Sequence, residues 1–271
     1  MTTETAPECV QGPMTGSAVG RGPVGLVLAA GAGRRLGLGP KALLRGNGRT
    51  LVECLVDALL SGGCRNVTVV TGAGAEEVAT ILRGSDQVRV ARNRRWAEGM
   101  GSSLQCGLQT IGPGTDVLVT PVDRPGICAE EVERLIAAHR PGAITAAAHR
   151  DEQGQLRRGH PVVFDAIWTA EVVTAAHDDV GARQLLTAHR DIVELVDCSD
   201  LDDGEDIDVP ADLHRLKLLD RSTRHCSDGG SRGGGRGGDG SDGNGRTAFD
   251  TINQGAGHAS RGSGARPASG R

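Results

Sequence analysis

The sequence predicts an α/β protein: a doubly wound, mostly parallel sheet with helices on both faces. Three observations lead there. From Val24 to about residue 150, short β-rich apolar runs alternate with amphipathic stretches of helical spacing. Strands separated by helices imply right-handed βαβ crossovers and a sheet covered on both sides. The first run, Val24-Gly25-Leu26-Val27-Leu28-Ala29, is continuously apolar, as a strand buried on both faces must be. Finally, only four of the 271 residues are aromatic (Trp96, Phe164, Trp168 and Phe249), so Ala, Val, Leu and Ile must fill the core. The length allows one or two domains with a sizeable interior.

The elements follow in order. A glycine-rich loop leaves the first strand, and a helix from Thr50 to Leu60 carries Leu51, Val52, Leu55 and Leu59 at helical spacing. Val67 to Thr71 and Val88 to Ala91 read as strands on either side of a helix from Ala75 to Leu82. A helix from Ser102 to Thr110, a strand from Asp116 to Val122, a helix from Glu130 to His139 and a strand from Ala143 to Ala148 complete the alternation. Beyond residue 150 the pattern loosens into a polar turn, the apolar segment Pro161 to Phe164, a helix from Ala182 to Ala188, a strand from Ile192 to Val196 and a last helix from Ala211 to Leu219.

The flanks differ in composition. Residues 221–271 hold 15 glycines, eight arginines and four aspartates with few apolar side chains. Such a Gly/Ser/Arg-rich segment cannot offset its ordering entropy by burial and reads as a disordered tail. Residues 1–22 lack periodicity and an apolar h-region, and read as a loose leader rather than a signal peptide. The domain is therefore expected over 23–220. The formal charge of −4 is a sum of a +4 tail and a −8 remainder, so the molecule is no polycation built around nucleic acid. Seven scattered cysteines without C-x-x-C spacing point to free thiols in a reducing cytoplasm, and no apolar run reaches the roughly 20 residues of a membrane span.

Ligands of such sheets bind beyond the carboxyl ends of the strands. There the chain writes Leu28-Ala29-Ala30-Gly31-Ala32-Gly33-Arg34-Arg35-Leu36-Gly37-Leu38-Gly39-Pro40-Lys41. Glycines let backbone N–H groups approach an anion, and the arginines and Lys41 supply charge suited to a triphosphate. Lys41 is one of only two lysines among 30 basic residues. The loop lacks G-K-[ST] and misses G-x-G-x-x-G, which excludes a P-loop and a dinucleotide fingerprint. Asp123 follows the apolar run 117–122, beside this loop, where a carboxylate can take the Mg²⁺ that accompanies a triphosphate. Asp206 and Asp208 alternate on an extended segment and so share a face, while Asp202, Asp203 and Glu205 read as a solvated acidic loop.

The loop L-A-A-G-x-G-x-R-x-G followed by P-K resembles the signature of nucleotidyltransferases with a Rossmann-like α/β fold. Asn93-Arg94-Arg95-Trp96-Ala97-Glu98-Gly99-Met100-Gly101-Ser102-Ser103-Leu104 resembles the N-x-x-W-x-x-G-M-x-S-S-L segment of molybdenum cofactor cytidylyltransferases of the MobA-like NTP transferase family. Gly159-His160-Pro161, Gly181-Ala182-Arg183 and the 206–213 segment, D-I-D-x-P-x-D-L, are similar to further motifs of that family, in order, from Val24 to Leu219. The chain departs from the pattern at Arg124, where D-Q-P is common, at Arg94, where proline often stands, and by one extra residue between Gly37 and Lys41.

The resemblance implies Mg²⁺-dependent transfer of CMP from CTP to the phosphate of a molybdopterin-type cofactor, with a molybdoenzyme or its chaperone as the acceptor of the product. Leu28, Ala29, Ala30, Gly31, Gly33, Arg35, Lys41, Asn93 and Ser103 are then expected at the nucleotide. Lys41, Arg35 and Asp123 are expected to serve catalysis, and Asp123 and Asp208 to hold the metal. Trp96, Met100, Ser102, His160 and Arg183 are expected at the second substrate. Three alternatives stand beside it. One is a guanylyltransferase using GTP, disfavoured by Ala30. Another is a different CTP enzyme, such as that of the methylerythritol-phosphate pathway, whose D-x-x-R-P resembles Asp123-Arg124-Pro125. The third is an inactive core whose Arg-Gly tail binds a polyanion.

Overall fold

The computed structural model describes residues 8–9, 22–176 and 181–220. The chain divides into two units, Met1–Gly230 and Ser231–Arg271. The second unit, the rest of the predicted tail, and all of the predicted leader except residues 8–9 and 22 lie outside the described residues.

The strands are β1 (Glu8–Cys9), β2 (Val24–Ala29), β3 (Arg45–Gly46), β4 (Arg49–Thr50), β5 (Asn66–Thr71), β6 (Val88–Arg92), β7 (Val117–Pro121), β8 (Ile144–Arg150), β9 (Leu156–Phe164) and β10 (Val193–Asp197). The α-helices are α1 (Leu51–Ser61), α2 (Ala75–Ile81), α3 (Met100–Ile111), α4 (Ala129–Ala138), α5 (Thr169–Ala175) and α6 (Arg183–Ala188). Eight strands form one sheet in the order β1-β6-β5-β2-β7-β9-β8-β10, and β3 pairs with β4 in a separate hairpin. Strands β6, β5, β2 and β7 run parallel, β9 is antiparallel to both neighbours, and β1 is antiparallel to β6. The expected sheet is present, with its parallel half where the alternation was regular.

Successive side chains on a strand face opposite sides of a sheet, and this sequence uses both. Leu26, Val117, Val119, Val162 and Phe164 pack into one core layer beneath α3, α5 and α6. Val27, Leu118, Val163 and the apolar faces of α1 and α4 form the other. Helix α1 starts sharply because Thr50 accepts from the Glu53 amide while the Glu53 carboxylate accepts from the Thr50 amide at 2.7 Å, a closed capping box. Helix α3 lies close on the sheet at Gly107, where a Cβ would fall on Leu26 and Val70. Cys54, Cys64, Cys106 and Cys198 are buried thiols, and burial pushes Cys64 up to about 12.

Three differences from expectation have local causes. Residues 156–160, read as part of a polar turn, extend β9 because their exposed face belongs to a hairpin tip closed by Asp151, whose carboxylate accepts from the Gln153 and Gln155 amides. Helix α5 has only seven residues, too few for a period to show. The last helix, Pro210–Asp220, is a 3-10 helix. Among the described residues no helix is long and apolar enough to cross a membrane.

Candidate functional site

The parallel pairing puts the two sequence candidates side by side. Strand β2 pairs with β7, with Leu28 opposite Pro121, and the Val122 amide donates to the Leu28 carbonyl at 3.1 Å. The glycine-rich loop and Asp123 therefore leave adjacent strand ends. The loop folds back at Gly33, whose carbonyl accepts from the Leu36 and Gly37 amides. Gly33 has φ +62° and a Cβ there would strike the Gly39 carbonyl, so only glycine fits. Leu36 is buried and anchors the loop to the core, while Arg34 and Arg35 stay exposed. After Pro40 the chain enters a one-turn 3-10 helix, Lys41–Leu43, which turns the Lys41 side chain inward.

Lys41 closes the site. Its Nζ lies 2.7 Å from Asp123 Oδ2 and 2.5 Å from Asp208 Oδ1, with only 15% of the side chain exposed. Burial works to lower its pKa, but the charges and hydrogen bonds of Asp123 and Asp208 outweigh burial and hold it above the usual lysine value. Arg35 Nη1 reaches Asp208 Oδ2 at 3.5 Å from the solvent side. Asp123 Oδ1 is buried and has no hydrogen-bond partner. Asp208 arrives on the segment that precedes the last 3-10 helix. The Ile207 amide donates to the Asp123 carbonyl at 2.9 Å, Ile207 is fully buried, and the Asp212 carboxylate accepts from the Asp208 and Val209 amides. Asp206 and Asp208 therefore turn to the side opposite Ile207, as their alternation predicts. Burial and the neighbouring Asp123 charge push Asp206 up to about 6.

A cavity of about 380 Å³ opens above these groups. Of the expected residues, Leu28, Ala30, Gly31, Gly33, Arg35, Lys41, Trp96, Met100, Ser103 and Asp123 line it. Trp96 is half-buried, and its ring sits where a Cβ on Gly72 would be, so one residue both packs and lines the wall. The remaining expected residues stand elsewhere. Ala29 is buried in β2, and Asp208 sits beside Lys41 without lining the cavity. Asn93 is buried behind the wall: its amide donates to Ser102 Oγ and Ser103 Oγ, and its carbonyl oxygen accepts from the Arg95 amide. Ser102 turns its hydroxyl to the Arg95 and Gly99 carbonyls. The largely buried His160 lies behind Asp123, where burial and the Arg124 charge push it down to about 4, so its ring is neutral near pH 7. Arg183 is exposed at the start of α6 and does not line the cavity.

One reading is corrected. Asp202 is not in a solvated loop: its side chain is 3% exposed, and its Oδ2 accepts from Arg124 Nη2 at 2.9 Å. Arg124 is itself 2% exposed and also donates to the His160 carbonyl at 2.9 Å. A charge buried on one segment requires a counter-charge on another, and no local period reports that pairing. Asp212, whose capping of the Asp208 turn was also missed, carried a weak signal in its place in the D-I-D-x-P-x-D-L segment.

Comparison with known proteins agrees with this geometry. Residues 25–193 match the MobA-like NTP transferase domain. The chain is 44% identical over 194 residues to nicotine blue oxidoreductase of Paenarthrobacter nicotinovorans, covering 71% of this chain and 95% of that protein. Rv0371c of Mycobacterium tuberculosis, also solved in complex with manganese, superposes with a TM-score of 0.61 at 25% identity, over 72% of this chain and 97% of that one. The inositol-1-phosphate CTP transferase of T. maritima shares the fold, with a TM-score of 0.60 at 18% identity over 76% of this chain and 98% of that one. With the match spanning most of the α/β domain and the signature loop folded at the strand ends, the chain belongs to the MobA-like NTP transferase family and has the nucleotidyltransferase fold.

Proposed function

We propose that residues 23–220 form an enzyme that transfers CMP from CTP to the phosphate of a molybdopterin-type cofactor, releasing pyrophosphate. The observation that carries this reading is the Lys41 ammonium held between Asp123 and Asp208 at the edge of a glycine-lined cavity. A phosphate monoester oxygen attacks the α-phosphorus, the bond to the β-phosphate oxygen breaks, and the electron pair leaves with pyrophosphate. The nucleophile is already deprotonated near neutral pH, so no general base is required. The work is alignment and charge neutralisation.

Each residue has a part in that work. Loop amides from Ala30 to Gly33 and the Arg35 guanidinium face the triphosphate. Lys41 neutralises charge on the leaving group. Mg²⁺ supplies Lewis-acid neutralisation at the phosphates, and Asp123, with its buried unpartnered Oδ1, and Asp208 are the residues that would hold it. Trp96, Met100 and Ser103 wall the nucleobase and pterin side, with Asn93 orienting Ser103. The Ala-Ala-Gly form of the loop favours CTP over GTP, and a molybdoenzyme or its chaperone is the acceptor proposed for the product.

A second reading rests on the 44% identity to nicotine blue oxidoreductase: oxidation or reduction of nicotine blue or a similar molecule bound against Trp96. One experiment separates the two. The purified chain is incubated with Mg²⁺, CTP or GTP and molybdenum-loaded pterin cofactor while pyrophosphate is followed. In parallel, it receives nicotine blue and a reduced nicotinamide nucleotide while colour is followed. Pyrophosphate with CTP supports the first reading, and with GTP only it overturns the base assignment. Bleaching without pyrophosphate supports the second.

A further inference from the structure

Beyond Arg124 from the cavity lies a second group of ionisable side chains that nucleotidyl transfer does not use. Glu131 on α4, His149 on β8 and Asp202 after β10 come from three separate segments, and one ligand atom from each lies within 4.8 Å of the others. Glu131 is 0% exposed and His149 5%, and both Glu131 carboxylate oxygens and His149 Nε2 have no hydrogen-bond partner. A carboxylate taken wholly out of water without a partner costs several kcal/mol, so this arrangement calls for a counter-charge.

A simple His–Glu hydrogen bond does not fit the spacing. His149 Nε2 lies 3.5 Å from Glu131 Oε1. A charge-assisted N–H···O bond closes to about 2.7–2.9 Å. Two ligands each about 2.0–2.2 Å from a tetrahedral ion stand about 3.4 Å apart. The neighbouring backbone fits closely around the group: a Cβ on Gly204 would lie 2.6 Å from the His149 ring, and one on Gly126 would overlap the Asp202 carboxylate.

We infer that Glu131, His149 and Asp202 form a structural site for a divalent transition-metal ion, with zinc the best match. One imidazole nitrogen and two carboxylates suit zinc, whereas Mg²⁺ and Ca²⁺ take oxygen ligands. The ion's charge offsets the Glu131 carboxylate, while Asp202 keeps Oδ2 for its counter-charge Arg124. The site ties α4 and β8 to the loop that runs on to Asp206 and Asp208, so metal loading stiffens the carrier of the catalytic-site acids without touching substrate.

The test uses the full chain, stripped with chelator and dialysed against Zn²⁺ with Mg²⁺ in excess. One zinc per chain and a higher melting temperature with zinc are expected. Glu131→Gln and His149→Gln should each weaken zinc binding by about 10-fold or more and lose the thermal shift. Asp208→Asn should retain both, which separates this site from the nucleotide site. Sub-stoichiometric zinc with no thermal shift, undiminished binding by Glu131→Gln, or loss of zinc in Asp208→Asn each overturns the proposal. Should the Gln variants fail to fold, wild type loaded with Co²⁺ decides. Visible bands of a low-coordinate nitrogen and oxygen site are expected, and a thiolate charge-transfer band or no cobalt uptake overturns it.

Discussion

Replacing Lys41 by methionine keeps most of the side-chain volume and removes only the charge, which makes two opposite predictions. The ammonium is 2.5–2.7 Å from two carboxylates. At an effective dielectric of about 20, a pair 4 Å apart gains about 4 kcal/mol. Asp208 is 45% exposed, so water and salt screen much of that. The resting protein should therefore lose only about 1–2 kcal/mol of stability. Turnover should fall further, because a fixed charge facing the leaving group is strongest in the transition state: about 3–4 kcal/mol, or 10²–10³ in kcat. Mg²⁺ affinity should rise, since Asp123 and Asp208 are no longer neutralised. The assays are pyrophosphate release with CTP, Mg²⁺ titration and urea unfolding of the same preparation. Release within threefold of wild type, or Mg²⁺ affinity that falls, would refute the assignment of Lys41 as the charge shared between acids and phosphates.

Three further outcomes follow from buried geometry. Arg124→Gln should cost about 3–5 kcal/mol in urea unfolding by leaving Asp202 buried and uncompensated, and adding Asp202→Asn should recover most of it. His160, pushed down to about 4 from 6.5, binds its proton more readily in the unfolded chain, so its stabilising contribution is complete above pH 6.5 and is lost as pH falls toward 4. That loss is at most about 3 kcal/mol and should shrink in His160→Gln, read from denaturation midpoints across this window. Gly107→Ala gains up to about 1 kcal/mol of helix propensity but drives a methyl into Leu26 and Val70, so a net loss of about 1–2 kcal/mol is expected in thermal unfolding.

How much was legible follows from which interactions are local. The strands from Val24 to Ala148 were readable because a strand buried on both faces writes a continuous apolar run and each intervening helix shows its own period. The β3–β4 hairpin is formed by two two-residue strands, too short for any alternation to register. The loop was readable for the same local reason: its glycines, Pro40 and Lys41 lie within one stretch of chain. Lys41 meeting Asp208 was not, since 167 positions separate them and long-range contacts, among them the Ile207 amide on the Asp123 carbonyl, bring them together. Ser102 illustrates the opposite failure. Its residue type suits a ligand, yet its hydroxyl is spent on the Arg95 and Gly99 carbonyls of the turn that presents Trp96.

Arg124 bears on the second substrate in an unexpected way. As the place where D-Q-P becomes Asp123-Arg124-Pro125, it is one of three departures from the family pattern that together put the acceptor in question. The guanidinium does not line the cavity. It turns into the protein and anchors Asp202 and the His160 carbonyl, fixing the segment that delivers Asp206 and Asp208. A change whose charge is compensated 78 residues away, inside the core, alters how the acids are held rather than what they meet. The departure therefore loses its weight as evidence about the acceptor. The chemistry that would distinguish a phosphorylated pterin from nicotine blue has to be read on the cavity wall, at Trp96, Met100 and Ser103. Substitutions at Trp96 and Met100 should change substrate choice while leaving the Lys41–Asp123–Asp208 contacts intact.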